Sequence, residues 1–171
     1  PEEIRDAIRQ IRKATSRTFQ VNLFSPAKPC PLSDDDIDRA RRPLRSIQKQ
    51  LGLPEPNKVP EIKDRFLEQL EVLLSESIEV IGFHFGLPGD EEVRKVKDSG
   101  AILIGCATQF SDALALEKRG VDSIVAQGVE AGGHQGTFEA SEEPSGIGLM
   151  SLVPQITDIV SIPVIAAGGL M

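Results

Sequence analysis

The sequence predicts an α/β protein of the (β/α)8 TIM-barrel type, incomplete, with about five parallel strands. Three observations carry this. Beyond residue 62, short continuous apolar runs alternate with amphipathic segments, the pattern of strands covered by helices in a parallel sheet. The G-x-G-x-x-G run that follows the first strand of a doubly wound dinucleotide fold is missing after Phe24. The unusual residues, namely Asn22, His84, Gln127 to His134 and Gly168–Gly169, fall at the ends of apolar runs, where a barrel gathers its active site.

The elements follow in order. Ile4, Ala7, Ile8, Ile11 and Ala14 recur at helical spacing, and Pro1, Glu2 and Glu3 suit a helix first turn. "TFQVNLF" (Thr18 to Phe24) reads as a buried strand. Ser25 to Pro60 breaks the rhythm: it holds seven of the twelve prolines and one expected helix, Asp34 to Leu51, capped by Ser33 and stopped by Gly52. We expect this excursion to pack outside the sheet, within a single partial barrel domain spanning residues 1–171. Ile62 to Leu74 is the next helix. Thereafter strands are expected at Ile78–Gly86, Ala101–Thr108, Val121–Gly128 and Ile162–Gly169. Helices are expected at Asp90–Gly100, Ser111–Gly120 (serine-capped) and Leu149–Val160.

Composition narrows the function. The chain carries a net charge of −7 and has no extended basic patch, which argues against nucleic acid. Its one basic cluster, Arg39 to Lys49, directly follows "DDDID" and reads as a solvated helix face. No apolar run reaches the length of a membrane span, and no signal segment opens the sequence. Cys30 and Cys106 are isolated, without metal-type spacing; they fit a reducing cytoplasm, and Cys106 reads as buried filler.

The most informative stretch is "AQGVEAGGHQGTF", Ala126 to Phe138, with four glycines around His134, one of two histidines in the chain. Glycine allows close approach of backbone to a ligand. An imidazole, with an ordinary pKa near about 6.5, is neutral enough at pH 7 to accept a proton, and flanking glycines let it project into a pocket. Asn22 and Gln127 carry amides that both donate and accept; either could instead cap or bridge backbone. Gly169 reads as a phosphate-facing or a plain turn glycine. His84, in "GFHFG", reads as lining the same pocket or packing behind it.

"IVAQGVEAGGHQGTF" followed by "GLMSLVPQITDIVSIPVIAAGG", with "VNL" and "VIGFHFG" upstream, resembles the nitronate monooxygenase (2-nitropropane dioxygenase-like) family of FMN-dependent (β/α)8 barrels. The resemblance covers nearly the whole chain and places it on family strands three to seven. It implies a glycine-rich strand before Pro1 and a phosphate-binding strand after Met171. It implies FMN contacts from Asn22, Gln127, Gly132, Gly168 and Gly169, with His84 and His134 toward the substrate and His134 as catalytic base. The implied reaction is oxidation of alkyl nitronates, and by extension nitroalkanes, with molecular oxygen, through flavin one-electron chemistry. No metal is implied, and a homodimer is compatible. Two alternatives stay open: an FMN-dependent enoyl-acyl-carrier-protein reductase, which shares "EAGGH" and "IPVIAAGG", and a non-catalytic phosphate-binding barrel fragment. The long stretch from Gln135 to Gly148, with its acidic "EASEEPSG", favours the nitronate enzymes.

Overall fold

The computed structural model describes residues 1–26, 33–54, 63–138 and 145–170. Cys30, Ile62, most of the acidic run Glu139 to Gly146 and much of the Ser25–Pro60 excursion lie outside them. The chain divides into two compact units, Pro1–Ala27 with Arg65–Met171, and Lys28–Asp64.

The first unit is built on five strands: β1 (Gln20–Phe24), β2 (Val80–His84), β3 (Ile102–Ala107), β4 (Ser123–Gln127) and β5 (Val164–Ala167). All four pairings are parallel, and strand order in the sheet follows chain order, β1-β2-β3-β4-β5. This separates the two α/β architectures. A doubly wound sheet reverses its strand order at a switch point, whereas a (β/α) barrel adds each strand beside the last. The sheet is of the barrel type.

Alternation along each strand sorts side chains onto two faces. Ile81, Phe83, Leu103, Ile124 and Ala126 are fully or almost fully buried on the face that carries the helices. Gln20, Asn22, Phe24, His84, Cys106 and Gln127 occupy the other. The helix α1 (Glu2–Ala14) buries Ile8 and sets Arg5 and Arg12 on Glu76, at 3.0 and 3.1 Å. Phe66–Ser75 (here α4), Asp90–Asp98 (α5), Phe110–Lys118 (α6) and Leu149–Thr157 (α7) supply the rest of the cover. Gly105 shows how close this layer sits: a Cβ there would fall 2.5 Å from Leu116 Cδ2.

In the second unit the expected single helix Asp34 to Leu51 is two, α2 (Asp34–Arg41) and α3 (Leu44–Gln50). Pro43 is the reason: without an N–H it cannot accept its place in a continuous ladder, and it sits instead at the start of α3. The Ser33 cap is present as a full capping box with Asp36. Hydrogen bonds from the Ser33 hydroxyl and the Ser33 N–H hold the Asp36 carboxyl below its ordinary pKa. Arg39, Arg42, Arg45 and Lys49 are exposed, and no described residue of this segment is in a strand. The serine cap expected for α6 is also corrected. Gln109 is its N-cap, and the buried Asp112 carboxylate instead accepts from the Thr108 N–H and hydroxyl, both at 3.1 Å.

Candidate active site

The loops leaving the carboxyl ends of the strands bring the expected residues together. Asn22 is not at the exit of its strand but in the middle of β1; its side chain lies over Gly82, whose missing Cβ makes room for the Gln20 and Asn22 amides. His84 ends β2 and Gln127 ends β4. Gln20, Asn22, His84, Cys106 and Gln127 line one cavity of about 150 Å³ on the face opposite the helices.

The glycine loop packs against three of the residues that line this cavity, His84, Cys106 and Gln127. Gln127, 8 % exposed, donates from Nε2 to the His134 carbonyl (2.9 Å) and accepts the Gly136 N–H on Oε1 (2.7 Å). His84 Nε2 lies 3.0 Å from the same His134 carbonyl. The bridging role is therefore met at Gln127, and one of its two amide N–H groups remains for another partner. Gly136 lets the loop come this low: a Cβ there would meet Cys106 Sγ at 2.8 Å and His84 Cε1 at 2.9 Å. Burial, reinforced by the Asp112 charge, pushes the Cys106 thiol up to about 12, so it is protonated and inert at neutral pH.

The His134 ring lies on the rim and is exposed. It packs against both Phe24 and Phe85, with ring centres at 5.5 and 5.9 Å. Phe24 and Phe85 meet edge to face at 5.0 Å, and Phe85 meets His84 at 4.7 Å. Phe85 takes φ of 65°, left-handed backbone that bulky residues rarely adopt. The Ser25 N–H on the His84 carbonyl (2.9 Å) and the Ser25 hydroxyl on the Gly86 carbonyl (2.8 Å) hold that turn.

At the end of β5, Gly168 and Gly169 pack under the start of the same loop. A Cβ on Gly168 would lie 2.8 Å from the Ala131 nitrogen. The Glu130 carboxylate accepts from the Leu149 N–H through both oxygens, at 3.0 and 2.9 Å, capping α7. Gly132 differs from all of these, since a Cβ there would meet no protein atom within 4 Å.

Reasoning from the sequence missed Phe24, Phe85, Gln20 and Glu130. Period-2 alternation in "QVNLF" would have found Gln20 and Phe24 beside Asn22. Nothing local in the sequence marks the left-handed turn at Phe85 or the reach of Glu130 to α7.

A family model for nitronate monooxygenase matches residues 1–171. A "Probable nitronate monooxygenase" of Staphylococcus aureus (strain MSSA476) is 39 % identical over 171 residues, 99 % of this chain and 48 % of that protein. The chain thus spans about half the length of the curated relatives it matches. Among solved structures, a nitroalkane oxidase from Streptomyces ansochromogenes superposes with a TM-score of 0.88 at 35 % identity, over 99 % of this chain and 48 % of that one. FabK from Thermotoga maritima shares the fold, with a TM-score of 0.66 at 24 % identity over 99 % of this chain and 40 % of that one. The family match over the full sequence, on a sheet whose strand exits gather these side chains, means that this chain belongs to the nitronate monooxygenase family.

Proposed function

We propose that this chain carries one side of an FMN-dependent active site that oxidises alkyl nitronates, and nitroalkanes after deprotonation, with molecular oxygen. The observation that carries the reading is the convergence of Asn22, His84 and Gln127 on one cavity, with the loop that bears His134 hydrogen-bonded to two of them.

The residues present fit a flavin. Packing within the protein accounts for glycine at 136 and 168 but not at 132, where the space is open to a ligand. Asn22 and the remaining N–H of Gln127 would face the ring edge, with Gly132 beneath it. Gly168 and Gly169 would stand toward the phosphate. The flavin, when bound, supplies electron acceptance and the reaction with oxygen.

The protein's own part is proton transfer and orientation. The His134 imidazole takes the α-proton of a neutral nitroalkane, leaving the nitronate. Phe24 and Phe85, packed together beside that ring, would offer apolar surface to the alkyl group. His84 lies beside them on the substrate side.

The test is direct. Protein loaded with FMN should consume oxygen when given a pre-formed alkyl nitronate. Flavin bleaching by NADPH without oxygen, with no turnover of nitronate, would instead support the enoyl reductase reading.

A further inference from the structure

We infer that His84 is the positioning residue for His134, holding the base's backbone rather than reacting itself; this rests on the reading of His134 as base. A carbonyl oxygen cannot donate, so His84 Nε2 at 3.0 Å from the His134 oxygen must carry the proton. Gln127 Nε2 donates to the same oxygen at 2.9 Å, and both of that carbonyl's lone pairs are occupied. Gln127 Oε1 then takes the Gly136 N–H, so the loop is fixed on both sides of Gln135.

The rest of the His84 ring is committed to the loop as well. Its Cε1 and Nδ1 face Gly136 closely enough that any side chain there would collide, the distances to a Cβ being 2.9 and 3.2 Å. The ring is further held by Phe85, at 4.7 Å, and Phe24, at 5.9 Å. Phe85 takes left-handed backbone to make that placement, strain tolerated mainly where function needs the geometry. Two donors on one carbonyl thus set the direction in which the His134 side chain leaves the loop. A displacement of about 1 Å at a base can cost about 10²-fold in rate.

Two kinds of measurement test this. In the unmodified protein, ¹⁵N NMR should show neutral His84 protonated on Nε2 and bare on Nδ1, and the Gly136 amide should be protected from exchange. In the flavin-loaded protein, His84→Phe should slow turnover of neutral nitroalkane by about 10²-fold. His84→Gln, whose amide N–H reaches a similar position, should restore most of it. An Nδ1-protonated His84, or an unprotected Gly136 amide, would overturn the inference even if the Phe variant failed to fold. So would a Gln variant as slow as the Phe variant, because His84 would then act through its own acid–base chemistry. Should His134→Asn slow nitroalkane and nitronate alike, the base reading fails, while the tautomer and the exchange protection still report the clamp separately.

Discussion

Gly132 and Gly136 lack side chains for different reasons, and substitution separates them. A methyl group at 132 meets nothing, whereas at 136 it meets Cys106 and His84. Gly132→Ala should leave thermal stability within about 1 kcal/mol of the parent, since alanine restricts only the unfolded chain. It should nevertheless weaken FMN binding, read by fluorescence titration; unchanged FMN affinity would remove Gly132 from the flavin site. Gly136→Ala should destabilise by about 1–3 kcal/mol through overpacking, measured by urea denaturation. Cys106 gives a chemical check on the same packing. With its thiol pushed up to about 12 and 5 % exposed, it should resist alkylation at pH 7.5 until the protein unfolds, as followed by peptide mass mapping. Rapid labelling in the native state would show that the loop does not seal it.

At the scale of elements, the last helix–strand connection is tied by one carboxylate. Glu117 near the end of α6 accepts from the Ser161 N–H at 2.6 Å and the Ser161 hydroxyl at 2.7 Å, just ahead of β5. These bonds hold its pKa below the ordinary 4.5. A lowered folded pKa means that the stabilisation is present above 4.5 and is lost as pH falls through the lower folded value. Glu117→Gln should therefore reduce stability at pH 7 and flatten its fall below pH 4.5, as thermal melts across pH would register. A mutant whose acid profile matched the parent would show that the bond contributes nothing. Most of this architecture was legible in the sequence, because apolar runs such as "AILIGCAT" and glycine stops at Gly100 and Gly120 act locally. The break at Pro43 was legible in principle, since an interior proline ends a helix. The cap of α6 was not, because Asp112 reaches back to Thr108 in a way that no residue pattern singles out. In the site, His134 and Gln127 stood out by their glycines and strand ends. That Gln127 grips the loop seven and nine residues further on, and that Phe85 turns left-handed in a turn held by Ser25, rests on side-chain geometry and strain, which local pattern does not encode.

For the molecule as a whole, the account makes the strand exits of one parallel sheet the working end. Strands β1, β2 and β4 carry polar and aromatic groups on the face away from the helices, and the chain spans about half the length of its curated relatives. Among the described residues no group of histidine, cysteine, aspartate or glutamate is arranged to hold a metal, and no helix is long and apolar enough to cross a membrane. In the proposed function, electron chemistry falls to FMN and proton chemistry to His134. The most direct measurement is a comparison of two substrates on one variant, His134→Asn, loaded with FMN. Turnover of neutral nitroalkane should fall by about 10²–10⁴-fold, the usual contribution of a positioned base, because a C–H proton must be removed. Turnover of the pre-formed nitronate should change far less, because that proton is already gone. Equal losses on both substrates, or no loss on either, would contradict the assignment of His134 as the base.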